Sequence, residues 1–279
     1  MTPSNDLYCV MGNPVEHSKS PWIHARFAEL TGQSLRYEKR HIALDSFVSA
    51  VNAFRAEGGR GCNITVPFKF EAAAVATQTS ERALLAQASN TLRFEGDAIL
   101  ADNTDGVGLV NDIQRNAGVD LWGQRVLLIG AGGAAAGVLG PLLQAQPGHI
   151  TVTNRTRSKA TELVARHATL ALLHNTELIT QDICRLEGDF DVIINATASS
   201  LQGGSIPVTA SVLRPGALAY DMMYGPAAAD FMTWAHEHSA SPRDGLGMLV
   251  EQAAEAFLIW RGVRPPSLQV LAELRASMK

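Results

Sequence analysis

Apolar residues come in short runs parted by glycine, proline and polar clusters, and their spacing switches repeatedly between strand and helix periods. Residues 7–12, LYCVMG, read as a short buried strand. Ser20-Pro21 opens a helix through residue 30, with proline at the first helical position and Gly32 as the stop. Residues 35–44 are strand-like. Asp45 is placed to cap a helix that runs to about residue 57 and ends at Gly58-Gly59. Residues 61–66 form another strand, with β-branched residues and Pro67 as its stop. Two helical stretches and two short strands continue to about residue 100. This alternation predicts an α/β domain with a mainly parallel sheet.

A second alternating series starts near Gln124. Strands are predicted over 125–129, 149–153, 191–195 and 217–223, and helices over 133–144 and 158–167. The first domain boundary falls near Asp105, with a helix over 106–117 crossing it, and residues 248–260 form an amphipathic helix. One stretch has the length of a membrane span, because 126–143 is almost wholly apolar. Gly130, Gly132, Gly133, Gly137, Gly140 and Pro141 interrupt it, so a buried strand, a tight turn and a buried helix are predicted instead.

Composition narrows the class. At 279 residues the chain has room for one large or two modest domains. With 46% hydrophobic and 18% charged residues it can bury a core, which excludes a disordered chain. The net charge of −4 argues against a dedicated nucleic-acid binder. Cys9, Cys62 and Cys184 are odd in number and far apart, so no disulfide framework or zinc ribbon is predicted and a reducing cytoplasm fits. No signal peptide is predicted from the N-terminal residues. The eight histidines lack HExxH or Cys/His spacing, so no metal site is predicted.

The stretch VLLIGAGGAAAG puts Gly130, Gly132 and Ala135 at the three positions of the dinucleotide fingerprint, between a strand and a helix. The first glycine allows a tight turn, the second a close backbone approach to a pyrophosphate, and the small third residue close packing of helix on strand. Amide groups at the helix start favour the phosphates. A glycine- and alanine-rich packing contact without a ligand fits the same letters. Past the next strand, an NAD-specific site usually has an acid for the ribose hydroxyls. Here stand Asn154, Arg155, Thr156, Arg157, Ser158 and Lys159: three cations and no acid, which suits the 2′-phosphate of NADP. The competing reading, a solvated basic helix start, opposes the helix dipole.

Eight motifs then occur in order: GNPVEHSKSP (12–21), GCNITVPFK (61–69), SNTL (89–92), DNTDGVG (102–108), GAGGAA (130–135), TNRT (153–156), DMMYGP (221–226) and DGLGMLVEQAAEAF (244–257). Together they resemble the shikimate dehydrogenase family over residues 8 to about 262. The resemblance implies NADPH-dependent, reversible reduction of 3-dehydroshikimate in the chorismate and aromatic amino-acid pathway. It implies a mixed α/β substrate domain over 1–105, joined by the C-terminal helical segment 246–279, and a Rossmann-type NADP domain over 106–245. The active site is then expected in a cleft between them. It implies a small-molecule substrate, no nucleic-acid or membrane partner, and a monomer or homodimer.

Lys69 and Asp105 are the expected catalytic pair: a protonated lysine can donate to an oxygen that gains negative charge, and the carboxylate can orient it. Residue type alone also fits Asp105 as a helix cap and Lys69 as a surface charge. Ser18 and Ser20 can both donate to one substrate carboxylate near a helix start, although Ser20 also fits as a cap. The family implies substrate contacts for them and for Thr65, Asn90, Tyr224 and Gln252. Asn63 and Thr104 are further polar residues at strand ends or in loops. Gly130, Ala131, Gly132, Gly133, Ala134 and the 154–159 segment are expected to hold NADP. Met222 and Gly245 match positions at its nicotinamide end, and Glu81 a position near the cofactor. Two departures stand out. Ser89 replaces the usual valine before Asn90, and Thr197 is followed by Ala198-Ser199-Ser200-Leu201, with the glycines only at 203 and 204. A differently shaped loop beside the nicotinamide is expected. The competing functions are a sister enzyme that uses quinate or NAD, and a non-catalytic NADPH-binding module.

Overall fold

The structure is a computed structural model that describes residues 5–197, 206 and 208–278. The chain divides into two compact units, Met1–Gly108 with Val250–Lys279, and Leu109–Leu249.

The first unit is built on a six-stranded sheet of β1 (Asp6–Gly12), β2 (Leu35–His41), β3 (Gly59–Ile64), β4 (Gln78–Thr79), β5 (Thr91–Glu95) and β6 (Ala98–Asp102). Their order is β2-β1-β3-β5-β6-β4. β1 runs parallel to β2 and β3, and β4 to β6, whereas β5 is antiparallel to both β3 and β6. Three of its five pairings are thus parallel, as the sequence pattern predicts, and the two made by β5 are antiparallel. The cause is the tight turn Gly96-Asp97 between β5 and β6, with Gly96 at φ 55°, a two-residue hairpin connection.

The helices of this unit are α1 (Ser20–Thr31), α2 (Phe47–Ala56), α3 (Lys69–Ala74) and α4 (Glu81–Ala86). Gly32 ends α1 in the left-handed conformation, as its position predicts, and its N–H bonds back to the last carbonyls. Lys19 occupies the N-cap and Ser20 is the first helical residue, so Ser20 is not the cap. Ser46, not Asp45, occupies the N-cap of α2, and the Asp45 carboxylate accepts from the Ser46 hydroxyl instead. β3 starts two residues earlier than the pattern predicts. Gly58, at φ 89°, takes the turn, and Gly59 enters the strand where a Cβ would lie 2.5 Å from the Phe54 ring. Phe47, Val51, Phe54, Cys62, Phe68 and Leu92 make the core on this face, none more than 1% exposed.

The second unit begins inside α5 (Asp105–Asn111), which passes into a π-helical turn at Asp112–Asn116 where one continuous helix was predicted. Its six strands are β7 (Arg125–Ile129), β8 (His149–Thr153), β9 (Glu177–Thr180), β10 (Phe190–Asn195), β11 (Leu213–Asp221) and β12 (Ser241–Arg243). All pair parallel, in the order β12-β11-β10-β7-β8-β9. Counted along this unit that is 3-2-1-4-5-6 read from the β9 edge, the doubly wound dinucleotide-binding order.

The crossovers include α6 (Gly133–Gln144), α7 (Arg157–Leu173) and α8 (Ala229–Glu237). The apolar run 126–143 is thus β7, a turn and the buried α6, and no described helix is long and apolar enough to cross a membrane. α7 extends six residues past the predicted end because Leu170 and Ala171 still face the core. The expected change of loop shape after Thr197 lies outside the described residues. α9 (Leu246–Arg261) leads back into the first unit, which α10 (Ser267–Ser277) completes.

Candidate active site

Lys69 opens α3 and Asp105 opens α5, and the Lys69 ammonium meets Asp105 Oδ2 at 2.5 Å. Their side chains are 23% and 11% exposed, so the pair is sheltered but reachable. Asn90 fixes the other carboxylate oxygen. Its amide N–H₂ donates to Asp105 Oδ1 at 2.8 Å and also lies near Thr104 Oγ1 and Gln252 Oε1. The carbonyl end of the same side chain accepts from the Thr104 N–H and the Thr91 hydroxyl, each at 2.9 Å. That pattern permits one amide orientation only. Asn103 closes the turn before Asp105, accepting from the Asp105 N–H and donating to the Ala88 carbonyl.

The chain of bonds continues outward. Asn63 donates to Thr91 Oγ1 and to the Asn90 carbonyl, and accepts from the Tyr37 hydroxyl at 2.8 Å. The Ser20 N–H donates to Ser18 Oγ at 3.3 Å. Tyr37 stacks on the fully buried His24, ring centroids 4.3 Å apart. Burial raises the Tyr37 hydroxyl well above its usual range and pushes His24 down to about 3. A polar path thus joins Tyr37 to the Lys69–Asp105 pair. Thr65 lies between β3 and α3, its Cγ2 packed where a Cβ on Gly12 would be 2.3 Å away.

In the second unit the nucleotide features rest on backbone. Gly130 follows β7 at φ 115°, where a Cβ would also come within 3.1 Å of the Ala196 carbonyl. Gly132 is the N-cap of α6, and a Cβ there would project into open space. No side chain caps α6, so its first amides are available to an anion. Ala135, at the third fingerprint position, is fully buried. After β8, the Asn154 amide donates to the Thr156 carbonyl at 2.9 Å and shapes the turn into α7. Arg155, Arg157, Ser158 and Lys159 are exposed, and among the described residues no acid pairs with these cations. They crowd the positive end of the α7 dipole, an arrangement that a bound phosphate offsets. The cradle and the cations fit NADP.

Met222 and Gly245 meet closely: a Cβ on Gly245 would be 2.3 Å from the Met222 carbonyl oxygen. Tyr224 is half-buried just past β11, and burial raises its hydroxyl. Glu81 is exposed in the first turn of α4, in the first unit, whereas the glycine turn belongs to the second. Among the described residues no cluster of His, Cys, Asp or Glu could hold a metal ion.

Sequence reasoning passed over Tyr37 and Thr91. Both sit in strands beside charged or apolar neighbours, and only strand pairing shows that Thr91 links Asn63 to Asn90 and that Tyr37 donates to Asn63. It also passed over Asp112, Tyr220 and Arg243, which lie far apart in sequence. Arg82, which grips Asp102 through two bonds and reaches Glu255, carried no local signal either.

A doubly wound sheet with a glycine turn and a cationic second loop, on the same chain as a Lys–Asp pair in a polar network, defines an oxidoreductase of the nicotinamide dinucleotide class. Residues 10–92 match the shikimate dehydrogenase substrate binding domain, 112–202 the shikimate / quinate 5-dehydrogenase model and 245–275 the shikimate 5'-dehydrogenase C-terminal domain. The chain is 68% identical over 278 residues to a shikimate dehydrogenase (NADP(+)) of Acidovorax sp. (strain JS42), covering 100% of this chain and 99% of the relative. It superposes with TM-score 0.90 and 46% identity on an Ael1 enzyme from Pseudomonas putida, over 97% of this chain and 98% of the other. A shikimate 5-dehydrogenase from Thermus thermophilus, solved with NADP(H) and shikimate, gives TM-score 0.85 at 28% identity over 98% and 99% of the chains. The chain belongs to the shikimate dehydrogenase family.

Proposed function

We propose that the chain is an NADP-dependent shikimate dehydrogenase that reversibly reduces 3-dehydroshikimate to shikimate in chorismate and aromatic amino-acid biosynthesis. The observation that carries this reading is the Lys69–Asp105–Asn90 constellation, which binding alone does not require. Bound NADPH supplies the two electrons of the reduction as hydride. Lys69 donates a proton to the carbonyl oxygen as charge grows there, and takes it back in the reverse direction. One of its N–H bonds is held by Asp105, which leaves two for substrate oxygens. Asp105, locked by Asn90, keeps the ammonium aimed without a search for its partner. Ser18 and Ser20 hold the substrate carboxylate, and Thr65, Asn90, Tyr224 and Gln252 read its hydroxyls. A site that hydrogen-bonds hydroxyls strongly rejects analogues that lack them.

In the second unit, Gly130 to Ala134 cradle the pyrophosphate, and Asn154 to Lys159 hold the 2′-phosphate. Met222 and Gly245 face the nicotinamide, and Glu81 stands near the cofactor. The chain's division into a substrate domain over 1–105 with 246–279, and a nucleotide domain over 106–245, belongs to the same reading. So do a cytoplasmic location and a monomeric or homodimeric state. The test follows nicotinamide absorbance with shikimate or quinate against NADP or NAD, in all four pairings. A strong signal with shikimate and NADP alone is expected. Preference for quinate or NAD moves the chain to the sister activity, and silence with tight NADPH binding leaves a binding module.

A further inference from the structure

Asp112 has no exposed surface, yet its carboxylate is heavily bonded. Arg243 grips it with a planar fork, Nε on Oδ2 at 2.7 Å and Nη2 on Oδ1 at 2.6 Å. The Tyr220 hydroxyl donates to Oδ2 at 2.8 Å and the Asn116 amide to Oδ1 at 2.9 Å. Each oxygen thus accepts two donors, and the charge is matched by Arg243. Those are the conditions under which a carboxylate can be buried without a large penalty. Burial and the neighbouring carboxylate hold the Tyr220 hydroxyl well above its usual range, so it remains a donor. The fit is close on the remaining side as well: a Cβ on Gly247 would lie 1.8 Å from Asp112 Oδ1, so the start of α9 rests against the carboxylate. Asp112 also begins the π-helical turn, whose closing bond runs from the Ala117 N–H to the Asp112 carbonyl. Such turns occur frequently at functional sites.

The residues it grips are not scattered. Tyr220 and Arg243 face each other on the last rung of the β11–β12 ladder. Two residues further along the same two segments stand Met222 and Gly245. Beyond the rung the segments are held backbone to backbone: the Gly245 N–H donates to the Met223 carbonyl at 2.8 Å, and Gly245 has no room for a side chain against Met222. Met222 is tied on its other side by its N–H to the Asn195 carbonyl. The spacing of Met222 and Gly245 therefore follows the spacing of Tyr220 and Arg243, and Asp112 sets that spacing.

We infer that Asp112 is a positioning residue: by clasping Tyr220 and Arg243 it holds Met222 and Gly245 as one rigid shelf for the nicotinamide end of the cofactor. This rests on the assignment of Met222 and Gly245 made under the proposed function. The clasp should matter to the nicotinamide half of the dinucleotide and not to its adenosine half, which the glycine turn and the cations after β8 receive.

The test compares two ligands on the full chain by titration: NADPH, and adenosine 2′,5′-bisphosphate, which carries the 2′-phosphate but no nicotinamide. Tyr220→Phe removes one bond and keeps the ring. Arg243→Lys keeps the charge and loses the fork. For Tyr220→Phe the NADPH Kd is expected to rise about threefold to tenfold, more for Arg243→Lys, while the Kd of adenosine 2′,5′-bisphosphate stays within about twofold of wild type. Thermal unfolding run alongside separates this from simple loss of fold, and if Arg243→Lys fails to fold, Tyr220→Phe still decides. Equal weakening of both ligands, or a lowered melting temperature with neither Kd changed, makes the clasp a stability device and overturns the inference. A wild-type chain that binds no NADPH overturns the functional reading itself, and this inference with it.

Discussion

The candidate sites of the two units are built by opposite physical means. In the first, the candidate chemistry is a connected set of side chains: Tyr37, Asn63, Thr91, Asn90 and Asp105 bond in turn and hold Lys69 in one geometry. In the second, the nucleotide features are missing side chains at Gly130 and Gly132 and the uncapped start of α6, with Arg155, Arg157 and Lys159 exposed after β8. A network of buried polar groups is organised before its ligand arrives, and it loses much when one member goes, because the partners are left unsatisfied. An exposed cation, by contrast, can be removed at little cost to the fold. Damage to the first region should therefore appear in turnover, and damage to the second in cofactor selection.

The largest effect is expected at Asp105. Asp105→Asn removes the charge that holds Lys69, and kcat should fall about hundredfold or more while the NADPH Kd stays within about threefold. A comparable loss of NADPH affinity would erase the contrast between the two regions. Arg155→Ala is the converse. The preference for NADP over NAD in kcat/KM should drop about tenfold to hundredfold, the worth of one charge-assisted phosphate contact of about 1.5–3 kcal/mol, with the melting temperature unchanged. An unchanged ratio would remove the role given to the cationic loop.

His24 sharpens the contrast through pH. Its folded pKa of about 3 lies below its ordinary 6.5, so the unfolded chain takes up the proton first. Its contribution to stability is whole above about pH 6.5 and is lost as pH falls toward 3, at about 1.4 kcal/mol per unit. Urea denaturation of wild type and His24→Phe between about pH 7 and 4.5 should show the wild-type slope steeper by about one proton. Equal slopes would mean that the aromatic cluster does not hold a neutral imidazole. His167, also lowered by burial, adds to the slope in both proteins. The smallest effect is expected for Tyr37→Phe, which takes one donor from Asn63 and should cost about 1 kcal/mol of stability with a few-fold rise in the KM for shikimate.

What the sequence made legible follows the same division. The glycine turn, β7, α6 and β8 were readable because one local stretch carries the turn geometry, the apolar period and the anion-binding helix start. Gly32 likewise announced its own helix end. The antiparallel placement of β5 was not readable, because the hairpin signal at Gly96-Asp97 is two residues long and strand direction is a pairing property. β9 and β12 escaped because they are short. The Lys69, Asp105 and Asn90 positions were named through family motifs, and residue type alone left them open. Thr91, which bonds Asn90, Tyr37, which bonds Asn63, and the Asp112 clasp become visible only when distant strands meet.

A chemical role for the first unit's polar network is tested most directly by Lys69→Met, with shikimate turnover and NADPH affinity measured on the same preparation. The expected result is a kcat lower by about 10²–10⁴-fold with NADPH binding unchanged, since the proton donor is lost and the nucleotide cradle is untouched. A kcat within about tenfold of wild type would contradict that role.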